Sequence, residues 1–284
     1  MLTSPKFLVI STVGDDSLHR YWSKSERFDT CLIYYGDGKG YENESKYYIR
    51  SKGPKYHLIS DAIEKYPEFK NYTYIWMPDD DVYMKRGCVE RLFDMNMEYN
   101  LWLSQPSIIG WYGTSVPLND ARYILRYTNW VEIMCPVMSK YALTKCIKTF
   151  KDNITGWSID SAWNILLGHP KNKIAIIDEI VAIHTRQVFG GDTYNNLDEA
   201  NKDEINKDEA AKADSHKVRE KYNIVLEMAK DEGIRLGEGE IFNAVMYSGI
   251  DRKREELPRS KRFWPANEAI ESFIQRIKKS QNLI

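Results

Sequence analysis

The stretch TYIWMPDDDVYMKRG (residues 73–87) decides how the chain is read. A short apolar and aromatic run is too brief for a helix, stops at Pro78, and is followed at once by Asp79, Asp80 and Asp81. It reads as a buried strand that delivers three carboxylates at its end. Adjacent carboxylates repel and packing does not require them, so positive charge is expected opposite. Working outward, KFLVIST (6–12), FDTCLIYYGDGKG (28–40) and YYIRSKGP (47–54) repeat the form, an apolar strand closed by Gly, Asp or Pro. Pro54 suits the first turn of a helix whose apolar face is Leu58, Ile59, Ala62, Ile63 and Tyr66. Val89, Leu92 and Phe93 mark a second helix, and 101–110 and 131–139 read as strands. Ser139 is placed to cap a helix carrying Leu143, Cys146, Ile147 and Phe150. GWSIDSAWNILLG (156–168) reads as a turn entering a helix, and 173–186 as a strand pair or one bent strand. Alternating strands and helices predict an α/β sandwich with a mainly parallel central sheet. Ligands then bind beyond the carboxyl ends of the strands, in the loops after Thr12, Tyr35, Ser51 and Met77.

With 284 residues, 43% hydrophobic, the chain has ample core for one large domain plus an extension. The net charge of −1 argues against a general nucleic-acid-binding face. Cys31, Cys88, Cys135 and Cys146 show no paired or zinc spacing and read as free thiols in a reducing compartment. No signal peptide or long apolar span is evident, so a soluble, cytoplasmic protein is expected. Residues 1–190 are expected to form the α/β domain. Residues 191–284 are charged and read as a helical extension, packed on or tethered to it. Its basic end carries Phe263, Trp264 and an amphipathic face at Ile270, Phe273, Ile274 and Ile277, the sole place where membrane contact is expected.

The aspartates admit several readings. In a calcium loop, Asp79, Asp81 and Glu90 would stand at the first, third and twelfth positions, but Tyr83 and Met84 fall where an oxygen ligand and a glycine are needed. A two-metal phosphatase or nuclease needs further ligands on other strand ends. A D-x-D site uses two carboxylates to hold one divalent ion on a nucleoside diphosphate. A solvated acidic turn is the plain structural reading. A nucleotide-sugar transferase needs a hard cation with oxygen ligands, often completed by an imidazole, and a carboxylate base across the sugar. His184, at the end of the strand IVAI, and Asp160, opening a helix after Gly156–Trp157–Ser158–Ile159, supply both residue types.

In this order the segments GPKYHLISDAI (53–63), YIWMPDDDV (74–82), LSQPSI (103–108), VEIMCPVMSKYAL (131–143), GWSIDSAW (156–163) and AIIDEIVAIHTR (175–186) resemble a family. The layout looks like the A-type (GT-A) glycosyltransferase fold, a Rossmann-type sandwich. More closely it is similar to a plant and bacterial group filed as a domain of unknown function and labelled lysine-ketoglutarate-reductase trans-splicing-related. Plant members carry an N-terminal anchor, which this sequence does not show, and the tail after about residue 191 has no counterpart. The resemblance implies a metal-dependent, inverting glycosyltransferase using Mn²⁺ or Mg²⁺, a nucleotide-sugar donor, uridine diphosphate by default, and a glycan acceptor. It implies Asp81 and His184 as metal ligands, with Asp79 completing the D-x-D pair nearer the ribose and Asp80 among the donor-binding residues. Asp160 becomes the base, Thr12, Val13 and Gly14 cradle the nucleoside, and Lys55 meets the base or phosphates. Glu132 and Trp157 are candidates for sugar and acceptor contacts. The rival readings are a metallophosphohydrolase acting on nucleotide sugars and a non-catalytic carbohydrate-binding protein.

Overall fold

A computed structural model describes residues 6–110, 116–186, 207–224, 241–246 and 268–281. Strands β1 (Phe7–Val13), β2 (Phe28–Tyr34), β3 (Tyr47–Arg50) and β4 (Tyr74–Trp76) are mutually parallel, with β1 between β2 and β4. The sheet continues through β5 (Val82–Tyr83), β6 (Leu103–Gly110), β7 (Tyr123–Thr128), β8 (Val137–Ser139), β9 (Ile174–His184) and β10 (Ile241–Met246). The order along the sheet is β10-β7-β9-β6-β8-β4-β1-β2-β3, with β5 paired to β9 off this path. β8 is antiparallel to both β4 and β6, so β6, and β9 parallel to it, point the same way as β1–β4. Along the path, β7 and β8 alone run against the rest. This is the expected α/β sandwich with a mainly parallel central sheet.

Alternation along β1 explains the two-sided core. Leu8 and Ile10 join one apolar cluster, while Phe7 and Val9 join the other. Helix α1 (Lys55–Lys65) lays Leu58, Ile59, Ala62 and Ile63 on the first face, together with α3 (Lys140–Cys146) and α4 (Ile159–Leu166). Helix α2 (Cys88–Glu98) lays Val89, Leu92, Phe93 and Met95 on the second. Each such fully buried aliphatic side chain contributes about 2 kcal/mol of transfer free energy. Pro54 stands one residue before α1, in extended conformation. Ser139 caps α3 as its position suggested, its Oγ accepting from the Ala142 N–H at 3.2 Å.

Three sequence expectations are corrected. The strand read over 131–139 shrinks to Val137–Ser139. The stretch before it, interrupted by Pro136, leaves the sheet and turns toward the aspartates. Between the strands read at 101–110 and 131–139, where no element was expected, stands β7. The segment after 190 is not helical throughout. It holds α5 (Lys207–Tyr222) and α6 (Glu268–Gln281), but also β10, which adds an antiparallel edge to β7. On α6, Ile274 and Ile277 are buried, Phe273 meets the Tyr83 ring edge-on, and Tyr21 Oη donates to the Ile277 carbonyl at 3.4 Å. Phe263 and Trp264 lie outside the described residues. Among the described residues, no helix is long and apolar enough to cross a membrane.

The end of β6 meets the end of β9 at Gly110, opposite His184, with φ +102°. A Cβ at that position would run into the His184 carbonyl oxygen. Gly110→Ala therefore forces both a disfavoured backbone conformation and a backbone clash. It is expected to cost about 1–3 kcal/mol, read as a lower urea midpoint at unchanged m-value.

Candidate active site

The aspartate turn is fixed by backbone hydrogen bonds to four other segments. Met77 N–H donates to Pro136 O (2.9 Å) and Asp79 N–H to Met134 O (2.7 Å). Ser11 Oγ donates to Pro78 O at 2.9 Å, and Leu18 N–H to Asp80 O at 2.7 Å. Thr185 holds the Asp81 carbonyl with its N–H (3.2 Å) and its hydroxyl (2.7 Å). Just beyond, β5 pairs antiparallel with the end of β9, Val82 opposite His184. Residues about a hundred positions apart thus meet because two strand ends share a ladder.

Each aspartate has its own cationic partner. Asp79 Oδ1 pairs with Lys55 Nζ at 2.6 Å, and the same ammonium donates to the Ile133 and Met134 carbonyls, both at 2.8 Å. Asp80 is turned inward. It accepts from Gly14 N–H and Tyr35 Oη at 2.8 Å each and from Arg186 Nη1 at 2.9 Å. Burial still raises its pKa to about 6, against the pull of Arg186. Asp81 Oδ2 lies 3.4 Å from His184 Nε2, and Asp81 Oδ1 is buried with no hydrogen-bond partner. Burial opposes the charge on Asp81, but the His184 imidazole, by its field and hydrogen bond, and the Arg186 guanidinium outweigh it, and its pKa falls. Arg186 is held above its ordinary value, since Asp80 and Asp81 overcome the cost of its burial.

A second group of carboxyls lies behind the 130–134 segment. Asp160 sits in the first turn of α4, behind Ser158, which has a left-handed φ of 67°. The loop before it is pinned by Asn153, whose Oδ1 accepts from Gly156 N–H and whose Nδ2 donates to Trp157 O, both at 2.7 Å. Asp160 Oδ1 accepts from Ser161 N–H at 2.8 Å. Burial raises its pKa to about 7, although this N–H and the Trp130 indole favour its charge. Glu132 Oε2 accepts from Met134 N–H at 2.7 Å. Its pKa rises to about 8, first through burial and then through repulsion from Asp160 and Asp79. Tyr56, whose hydroxyl donates to Ile133 O at 2.7 Å, feels Asp79, Glu132 and Asp160 alike. The two groups of carboxyls are therefore one electrostatic unit bridged by Glu132 and Tyr56.

The structure pairs Asp79 with Lys55 and sets Asp81 beside His184, and Glu132 feels the charges of both Asp160 and Asp79. Thr12 and Val13 are buried strand residues, and Gly14 gives its N–H to Asp80 while the Tyr35 ring fills the space where a Cβ would stand. Trp157 is half-buried. Sequence reasoning passed over Tyr35, Arg186 and Arg219. Arg186 carried a signal, an arginine two residues after the strand-end histidine. Arg219, in a charged helix with many lysines and glutamates, carried none. Among the described residues, no group of three or more His, Cys, Asp and Glu side chains is arranged to hold a metal ion.

The model of a family described as "Protein of unknown function (DUF707)" matches residues 120–232. That stretch takes in Glu132, Asp160, His184 and α5 and begins after the aspartate turn. No curated protein matches the chain. Among solved structures, S. aureus TarS aligns at 11% identity and TM-score 0.46, covering 75% of this chain and 42% of TarS. The TarS 1–349 structure in complex with UDP aligns at 11% identity and TM-score 0.43, covering 62% of this chain and 60% of that one. A197 from STIV aligns at 13% identity and TM-score 0.40, covering 63% and 84%. The chain thus spans less than half the length of TarS.

Carboxyls with raised native pKa values bind more protons folded than unfolded, so they weaken the fold as pH rises. For Glu132 the stabilisation is full below its unfolded value, near 4.5, and is lost as pH climbs through about 8. Glu132→Gln keeps an acceptor for Met134 N–H and removes the titration. It is expected to gain on the wild type between those limits by on the order of 1–3 kcal/mol, measured as the difference between two urea-stability profiles against pH.

Proposed function

We propose that the chain is a metal-dependent glycosyltransferase that moves a sugar from a nucleoside diphosphate, with uridine diphosphate as carrier, to a glycan hydroxyl with inversion. The observation that carries this reading is the Asp81–His184 pair at the joined ends of β4–β5 and β9, with Asp79 and Lys55 beside it and Asp160 on a separate element. The resemblance of six ordered segments to A-type glycosyltransferases supports it. The pair also fits a divalent cation chemically. The buried, unpartnered Asp81 Oδ1 is an oxygen in want of a ligand, and the imidazole stands next to its twin. Mn²⁺ or Mg²⁺ would be held by Asp81 and His184 with Asp79 alongside, and when bound would supply positive charge to the departing diphosphate.

The chain's own residues do the remainder. Asp80 and Arg186 keep the turn rigid, so that Asp81 does not have to be ordered on binding. Lys55, already on Asp79 and two carbonyls, places a cation where phosphates would approach. Asp160 takes the proton from the acceptor hydroxyl as it attacks. A carboxyl whose pKa is raised to about 7 is matched to that task near neutral pH. Glu132, which feels both Asp160 and Asp79, is a candidate contact for the sugar between them.

Two outcomes are expected. Calorimetry of UDP with Mn²⁺ present and absent should show a metal-dependent gain in wild type that is lost in Asp81→Ala and in His184→Ala. Equal gains in both variants would remove the pair from the site. Asp160→Asn should keep that binding but lower turnover of the donor found by screening by about two to four orders of magnitude. NMR of the product should show the anomeric configuration inverted, and a retained configuration rules the mechanism out.

A further inference from the structure

Helix α5 is fastened to the loop that leads into Asp160. Asp214 Oδ2 accepts from the N–H groups of Ile154 (3.1 Å) and Thr155 (3.0 Å), and the Ser215 and Ser158 hydroxyls lie 2.6 Å apart. Tyr222 Oη donates to Asp152 Oδ2 at 2.8 Å. Helical spacing then turns Ala211, Ser215, Val218, Arg219 and Tyr222 inward, the first three almost fully buried. An arginine on such a face needs an acceptor. Yet Arg219 Nε is buried without a hydrogen-bond partner, and Arg219 makes no ion pair among the described residues. The charge it feels is that of Asp160, and neither Asp79 nor Asp81 figures among its influences. A second donor near the same carboxyl is the Trp130 indole, which favours the charge of Asp160. Trp130, 8% exposed, has its Nε1 buried with no partner within hydrogen-bond length. Two N–H groups, the Trp130 indole from the stretch after β7 and the Arg219 side chain from α5, thus act on the carboxyl read as the base.

We propose that Arg219 and Trp130 form an acceptor subsite that takes an anionic sugar, one carrying a carboxylate or a phosphate. This rests on the reading of Asp160 as the acceptor-side base. Arg219 is half-buried, and a neutral hydroxyl recovers little of the hydration that its inward-turned Nε loses. An oxyanion recovers it through charge-assisted, forked hydrogen bonds, and the indole N–H adds one more. Lys55 and Arg186 are engaged by the aspartate turn, so the donor does not need Arg219. The acceptor's hydroxyl faces Asp160 while its anionic group is held by Arg219.

The test uses the full chain with UDP and Mn²⁺ present. Glucuronate, glucose 6-phosphate and glucose are titrated separately by NMR. At least one of the two anionic sugars should bind about tenfold or more tightly than glucose, and the stronger one names the anion. Arg219→Gln should abolish that preference, Arg219→Lys should keep part of it, and Trp130→Phe should weaken it. Melting temperatures of the variants check that the fold survives. Equal binding of the three sugars by wild type, or no binding of any, overturns the proposal, as does a preference that persists in Arg219→Gln. UDP binding is measured apart. Its absence in wild type strikes the donor reading, whereas the anionic preference stands or falls on the sugar titrations.

Discussion

Desolvation of three consecutive carboxylates is the constraint on which the architecture turns. Each buried anion loses several kcal/mol of hydration, and only a well-placed cation with further hydrogen bonds returns it. Here the partners come from different parts of the chain. Lys55 opens α1, Arg186 follows β9, and His184 ends it. The turn can close only when α1 is docked and β9 is in register with β5 and β6. A slip of one residue along β9 would send His184 to the opposite face and leave Asp81 buried against nothing. The Gly110 contact removes the side chain that would hold the two strand ends apart.

Within the triplet the three side chains divide the work. Asp80 spends its carboxylate wholly on the protein, tying the β1 loop, the end of β2 and the end of β9 into one block. Asp79 remains partly exposed on Lys55, and Asp81 keeps one oxygen unspent. A middle residue that braces and two flanking residues that face outward is what consecutive positions permit, since neighbouring side chains diverge. The block removes conformational freedom from the outward pair before any ligand arrives, and preorganisation of that kind lowers the cost of binding.

The strands of the parallel half were legible because burial on both faces leaves continuous apolar runs, as in FLVISTV and FDTCLIY. Strands β7 and β10, at the other end, were not. In β7, YILRYT carries an arginine at its centre, and that arginine is buried by Asp178, fifty-two residues away. Composition cannot announce such a pair. The run VEIMCPV misled in the opposite direction. It is apolar enough for a strand, but Pro136 and the carbonyls given to Lys55 and Tyr56 keep it out of the ladder. The outward residues of the site were readable as types at strand ends. Their supports were not, because Gly14, Tyr35 and Arg186 reach Asp80 across dozens of intervening residues.

The two groups of carboxyls show why burial alone does not set chemistry. Asp81 and Asp160 are both nearly inaccessible, yet the first is driven below the usual carboxylate range and the second up to about 7. The difference is the distance to a compensating cation. Asp81 has His184 at 3.4 Å and the field of Arg186, while Asp160 has only neutral donors, the Ser161 N–H and hydroxyl and the Trp130 indole, and no ion pair among the described residues. A carboxylate that stays charged suits a cation or a diphosphate held by one. A carboxyl poised near neutrality suits a proton taken and returned. Glu132 lies between, and burial, added to by repulsion from both sides, raises its pKa to about 8. Proton affinity is therefore lowest at Asp81, beside His184 and Arg186, and higher at Glu132 and Asp160, which are buried without an ion pair among the described residues.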